Sequence, residues 1–190
     1  MFSQQFFTKT ILLLLLATWS AMFINIHAAH AVIRTVTGTV TKISDGDSIQ
    51  ITTAEQTKLK VRLYGIDAPE TDKINNHTGQ VSKPGQPHGK ESRKALKDKI
   101  MGKKVKVEII EFDKYRRSVC MVWLIDRNIN LEMVREGHAE AFIEYLKPPY
   151  RTQFLKVEQQ AKSDKKGIWA LSDYERPRAF RKRLKVMGGN

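Results

Sequence analysis

Cysteine, long apolar runs and acidic residues are all scarce in this chain of 190 residues. Cys120 is the only cysteine, and this excludes an intramolecular disulfide. It lies in an apolar run, residues 119–125, that is typical of a buried strand, so we expect a small core residue and not a reactive thiol. His77, His88 and His138 show no zinc-ligand spacing, so the sequence assigns them no chemistry.

The one long apolar run lies at the N-terminus, over residues 11–23. Lys9 precedes it, and residues 29–31 (Ala-His-Ala) have the small-x-small pattern that signal peptidase accepts. We therefore predict that residues 1–31 are a signal peptide and that the protein is secreted or periplasmic, without membrane association after cleavage. The alternative is an uncleaved anchor, although the run is short for a bilayer span and no second run follows it.

Basic residues outnumber acidic ones, with 33 Lys and Arg against 20 Asp and Glu and a net charge of +13. A domain this basic concentrates phosphate-bearing ligands around itself. Charge alone does not exclude a soluble protein whose net charge only keeps its copies apart, or a protein that is drawn to anionic membrane surfaces.

The few acids are clustered, and this is the most informative feature of the chain. Asp45 and Asp47 flank Gly46, and a second run contains Asp67 and Glu70. Acids near a polyanion-binding face do not raise non-specific affinity, so they are easier to explain as metal ligands or proton acceptors. An isolated Asp-Gly-Asp is more often a turn, but the second acidic run and an intervening arginine favour a functional site.

Strands precede helices along the chain. The predicted elements are strands at 35–43, 48–53, 58–66, 105–109 and 119–125 and helices at 89–101, 130–136 and 151–166. Five strands with a helix between the third and the fourth predict an α+β, mainly β protein built on a small closed barrel. Residues 72–88 are polar and turn-rich, and predict a long mobile loop that is either a substrate flap or an ordinary surface insertion.

Three segments, residues 43–48, 62–71 and 113–117, resemble in order the signature blocks of the staphylococcal-nuclease-like (thermonuclease) family, and the resemblance extends through residues 167–169. It implies a five-stranded OB-fold barrel with about three helices over residues 32–175. It also implies dependence on calcium (Ca2+) and hydrolysis of DNA and RNA to products that end in a 3′-phosphate.

The resemblance implies that the calcium ligands are Asp47, Asp67 and the backbone carbonyl of Ala68. Calcium takes six to eight oxygens in a flexible shell, so two carboxylates, a carbonyl and waters make a plausible site. We expect Gly46 to let the chain turn so that Asp47 points inward. Asp45 is expected to support the site or to form the turn.

Catalytic roles fall to Glu70, Arg62 and Arg117. A carboxylate near a metal-bound phosphate can accept a proton from the attacking water, so Glu70 is expected to be the general base; the alternative is that it only orients water or metal. Arg62 and Arg117 match the family's phosphate-clamping pair. Arg116 stands where the family usually has Gly. If the turn requires a positive φ at this position, a residue with a side chain costs roughly 1 kcal/mol or more, and the loop is then expected to follow a different local path.

By the same resemblance, Lys114, Tyr115 and Tyr145 line the substrate pocket, through hydrogen bonds to phosphate or stacking on a base. The alternatives are that Lys114 and Tyr115 are ordinary turn residues, and that Tyr145 packs against the last helix.

Residues 176–190 form a basic C-terminal tail, which carries six positive charges and no acid over 176–185. The tail either extends the contact with a polyanion or is disordered and solvated, and its deletion is expected to spare catalysis.

The function that these residues favour is a monomeric nuclease that acts on DNA and RNA and has no stable protein partner. The main alternative is a non-catalytic OB-fold module that binds single-stranded nucleic acid. A third class is an adhesive protein of an anionic cell envelope, which would be indifferent to calcium.

Overall fold

A computed structural model describes residues 34–188, which form ten β-strands and four α-helices. The strands are β1 (Arg34–Asp45), β2 (Ser48–Thr52), β3 (Lys58–Leu63), β4 (Ile66–Asp67), β5 (Lys73–Ile74), β6 (Val81–Lys83), β7 (Lys104–Phe112), β8 (Ser118–Leu124), β9 (Arg127–Asn128) and β10 (Glu140–Ala141). The helices are α1 (Gly89–Ile100), α2 (Ile129–Arg135), α3 (Tyr150–Ser163) and α4 (Pro177–Met187), with a 3-10 turn at Gly167–Ala170.

Five of these strands close into a barrel. The antiparallel order is β3-β2-β1-β7-β8, and β3 then pairs with β8 in parallel, with Leu63 opposite Cys120. Strand β1 pairs with β7 along its first half and with β2 along its second, and register shifts after Val40 and Ile43 bend it between the two. This closed barrel confirms the predicted α+β, OB-fold-like class.

The barrel interior is filled by alternate apolar side chains. Ile51, Val107 and Cys120 are fully buried, and Leu96 and Ile100 of α1 cover one end of the barrel. Cys120 is therefore a core residue, as predicted, and its burial raises the pKa of the thiol to about 12.

Asn130 joins helix α2 to the barrel. Its side chain is fully buried, donates to the carbonyls of Tyr64 and Cys120, and accepts the backbone N–H of Val122. Tyr64 in turn donates its hydroxyl to the carbonyl of Tyr145, which fixes the loop before α3 against the barrel. Because every one of these buried polar groups has a partner, the helical layer has one defined position on the strands.

Two segments differ from the sequence expectation. Residues 72–88 contain a short hairpin, β5 with β6, inside the predicted loop. Pro177–Met187 form a fourth helix, so of the two alternatives for the tail the disordered one is wrong: Pro177 stands at the first turn, where a missing N–H costs nothing, and Phe180 is buried. Helices α1, α2 and α3 lie within three residues of their predicted limits.

No helix within residues 34–188 is long and apolar enough to cross a membrane. The predicted signal peptide, residues 1–31, lies outside the described residues and stays a prediction.

Candidate active site

The two acidic runs meet at one edge of the barrel. Asp47 lies in the turn between β1 and β2, and Asp67 ends β4. Arg62 of β3 stands between them, with Nη2 at 3.1 Å from Asp47 Oδ2 and 2.9 Å from Asp67 Oδ1. Ser48 lies opposite Arg62 in the register of β2 and β3, and donates to Asp47 Oδ1 at 2.7 Å. The sheet register therefore brings these groups together.

These charges are largely withdrawn from water. Asp47 is 4% exposed and Asp67 is 0% exposed. Burial alone would lower the pKa of Arg62, but Asp47 and Asp67 outweigh it and leave that pKa raised. Buried carboxylates at this spacing repel one another, so the site requires positive charge.

Gly46 is required by close packing and not by its backbone conformation. Its φ lies outside the left-handed region, contrary to the expectation of a glycine-dependent turn. A Cβ at this position would lie 1.9 Å from Ser92 Oγ of α1 and 2.8 Å from Ala68 Cβ. The β1–β2 turn thus approaches α1 and the β4 end at a distance that only glycine permits, and this places Asp47 beside Ala68.

Ala68 and Glu70 follow β4 on a segment that is held at several points. Ala68 is buried, and its N–H donates to Asp47 Oδ2 at 3.3 Å. The Glu70 N–H donates to Gln86 Oε1 at 3.1 Å, and the Gln86 N–H donates back to the Glu70 carbonyl at 2.8 Å. Burial raises the pKa of the Glu70 carboxyl, and this makes Glu70 a stronger base than an exposed glutamate.

Asp45 takes no part in this contact set. Its carboxylate accepts Lys73 Nζ at 2.6 Å and also accepts the Thr71 hydroxyl. These contacts tie the end of β1 to the segment after Glu70, in agreement with the expected supporting role.

Arg117 reaches the same edge from the loop between β7 and β8. Its Nε donates to Asp113 Oδ2 at 2.7 Å, and its Nη1 lies 3.4 Å from Ser48 Oγ, the hydroxyl that also bonds to Asp47. Arg116 adopts φ 60°, so a residue with a Cβ occupies the left-handed conformation that glycine favours. Asp113 stabilises this loop conformation, because its Oδ1 accepts the backbone N–H groups of Tyr115 and Arg117.

The predicted substrate-binding residues line an open groove of about 820 Å³ beside this cluster. Tyr115 is 68% exposed, with the cations of Lys114 and Arg117 over its ring at 5.2 and 5.6 Å. Tyr145 is half-exposed across the groove and packs on Phe142, with ring centroids 4.6 Å apart. A groove with two accessible aromatic faces and several cations suits a chain of nucleotides.

Arg181 is the site residue that the sequence reasoning missed. From α4 its Nη2 donates to Asp67 Oδ2 at 2.7 Å, and its Nη1 donates to Asp67 Oδ1 at 3.0 Å and to Glu70 Oε1 at 2.8 Å. The available signal was a proline followed by Phe180 and Leu184 at helical spacing, which predicts a short amphipathic helix. The high local charge hid that pattern.

The donor set fits a hard cation. Within residues 34–188, no three His, Cys, Asp or Glu side chains are arranged to hold a metal ion by themselves. Two aspartates and a backbone carbonyl are nevertheless oxygen donors of the kind that calcium prefers. A cation already lies against Asp67, since the Arg181 guanidinium contacts both of its oxygens.

Comparison with known proteins identifies similar chains. The family model described as "Staphylococcal nuclease homologue" matches residues 60–171, so Asp47 lies before the matched region. An uncharacterized endonuclease of Haemophilus influenzae is 33% identical over 147 residues, which cover 77% of this chain and 74% of that protein. An endonuclease of Saprolegnia parasitica is 27% identical over 170 residues, covering 79% and 77% of the two chains. A rice protein (Oryza sativa subsp. japonica) named "Probable staphylococcal-like nuclease" is 34% identical over 125 residues, covering 66% and 29%.

Proposed function

Because this chain belongs to the staphylococcal nuclease family and is a nuclease, we propose that it is a calcium-dependent enzyme hydrolysing the phosphodiester bonds of DNA and RNA to 3′-phosphate products. The observation that carries the proposal is the contact of Arg62 with both Asp47 and Asp67, beside Arg117 and Glu70. A protein that only binds nucleic acid gains nothing from burying two carboxylates at its phosphate-binding edge.

The two arginines hold the substrate phosphate. Hydrolysis builds negative charge on the non-bridging oxygens, so a guanidinium binds the transition state more tightly than the ground state. Asp113 orients Arg117, and the two aspartates orient Arg62. Neither arginine therefore has to be ordered at the moment of reaction.

Glu70 accepts a proton from the attacking water. It lies at the rim of the same cluster, and its raised pKa favours proton uptake. Asp47, Asp67 and the Ala68 carbonyl would hold calcium, which supplies further positive charge for the phosphate. Lys114, Tyr115 and Tyr145 would bind the neighbouring nucleotides in the groove.

The proposal also includes export of the protein and a monomeric state. The N-terminal apolar run followed by Ala-His-Ala supports a cleaved signal peptide and a secreted or periplasmic enzyme. We propose a monomer without a stable protein partner, which after cleavage does not bind the membrane. The excess of basic over acidic residues in the full sequence, 33 Lys and Arg against 20 Asp and Glu, supports attraction to DNA and RNA.

The test is cleavage of single-stranded DNA by residues 32–190, in calcium and in chelator, with the variant Glu70→Gln. We expect cleavage that requires calcium and that falls about 10²–10⁴-fold in the variant, because the proton acceptor is lost. Glu55→Gln, at an exposed glutamate outside the groove, is the matched control and should cut at the normal rate.

The alternative function has a distinct outcome in the same experiment. A non-catalytic OB-fold module would bind the DNA and leave it intact in every metal, and the Glu70→Gln variant would bind equally well. Cleavage that persists in chelator would remove calcium from the proposal and leave the nuclease in place.

A further inference from the structure

Helix α4 places a cation directly on the acidic cluster. Arg181 donates to both oxygens of Asp67 and to Glu70 Oε1. Arg62 contacts the same Asp67 carboxylate on Oδ1 only. The Asp67 oxygens, 0% exposed in this arrangement, are thus already bonded to guanidinium groups.

The approach of Arg181 is fixed by contacts away from the cluster. Phe180 is 5% exposed, and Gln86 Nε2 donates to the carbonyl of Glu175 at 2.9 Å. Arg176 Nε lies 2.9 Å from Glu140 Oε2, and Glu140 pairs with Asp67 between β10 and β4. The segment is therefore docked on β10, the strand paired with the one that carries Asp67, and Arg181 is not a surface side chain that reaches the site by chance.

We propose that Arg181 is an internal cation that competes with the metal for Asp67, so that calcium binding displaces it and loosens α4. The inference rests on the proposed calcium dependence. A calcium ion needs a direct bond to an Asp67 oxygen, and each oxygen now accepts a guanidinium N–H. Of the two arginines on Asp67, only Arg181 occupies both oxygens, so Arg181 and not Arg62 is the cation that an ion bound there would displace.

The competition has two consequences for the free protein. Part of the calcium binding energy is used to release Arg181, so the apparent affinity for calcium is lower than that of the bare site. Without calcium, Asp67 and Glu70 are neutralised from within the chain, and the cluster remains stable without an ion.

Calcium affinity is the direct test, measured by isothermal titration calorimetry on residues 32–190 without nucleic acid. Arg181→Gln removes the competing cation, so we expect calcium to bind about tenfold more tightly or better. Arg183→Gln is the matched control, because it removes the same charge from α4 at an exposed arginine that pairs with Glu175. We expect this control to bind calcium like the wild type.

A second measurement uses the unmodified chain and so does not depend on how the variant folds. Hydrogen exchange of the backbone amides of α4 that follow Pro177 should accelerate in calcium, because α4 loses its anchor at Asp67. Magnesium at the same ionic strength controls for general screening of charge.

The outcomes separate the two proposals. If the wild type cuts DNA in calcium, but Arg181→Gln binds calcium no more tightly and α4 exchange is unchanged, the competition is overturned and the nuclease proposal stands. If the wild type neither binds calcium nor cuts DNA with it, both are overturned.

Discussion

At the scale of single residues, Arg116 shows a local cost that the loop tolerates. Its φ of 60° is the left-handed conformation, which disfavours any residue with a Cβ. Its side chain is exposed, while the neighbouring Arg117 is turned toward the barrel edge. A substitution of Arg116 should therefore change the backbone strain of the loop without removing a side chain that faces the barrel edge.

Arg116→Gly should raise the free energy of unfolding by up to about 1 kcal/mol, because glycine adopts this φ without a Cβ clash. The measurement is the urea midpoint of residues 32–190. Arg116→Ala retains the Cβ and the strain, and serves as the control for loss of the side chain. Equal midpoints for the two variants would contradict a backbone origin.

His88 and His138 form a second residue-scale feature, at the junction of α1 with the segment after α2. Their rings are stacked with centroids 5.3 Å apart, and Nε2 of His88 lies 3.1 Å from Nδ1 of His138. Burial lowers the pKa of both rings from 6.5. The folded state therefore resists protonation that the unfolded chain accepts.

The pH dependence follows from that difference. Between the lowered folded pKa values and 6.5 the unfolded state binds more protons, so the free energy of unfolding falls on acidification through this window and recovers above it. His138→Gln should lose less stability than the wild type between pH 7.5 and pH 5, in urea titrations at each pH. His77→Gln, in the exposed β5–β6 turn, should behave as the wild type does. Parallel losses in all three proteins would refute the assignment.

At the scale of elements, Phe180 is the main apolar anchor of α4, since it and Pro177 are the buried residues of that helix. Phe180→Ala should weaken docking by about 3 kcal/mol, since a buried aromatic side chain is removed. Hydrogen exchange within α4 should then accelerate about hundredfold, while β7 and β8 keep their protection. Val186→Ala, at a residue of the same helix that is 75% exposed, should leave exchange unchanged. Loss of protection throughout the barrel would show that α4 is part of the core unit.

At the scale of the whole molecule, the sequence predicted what local pattern determines. Alternation in β3 and β7 predicted the barrel walls, and the acidic runs predicted the edge where Asp47 and Asp67 meet. Arg181 was not predictable in this way, because it binds Asp67 from 114 residues further along the chain. The sequence analysis expected Gly46 to allow the chain to turn before Asp47. In the structure the need for glycine comes instead from close packing against Ser92 of α1, which lies far along the chain.

The parallel pairing of β3 with β8 is the seam at which the barrel closes. Arg62 lies on one side of this seam, opposite Val119, and Arg117 directly precedes β8 on the other side. The two arginines are therefore neighbours only when β3 and β8 are paired. A chain that opens at this seam keeps both arginines but no longer holds them side by side. The proposed phosphate clamp therefore exists only in the closed barrel, and the pairing of three residues on each strand, 61–63 with 118–120, is what completes it.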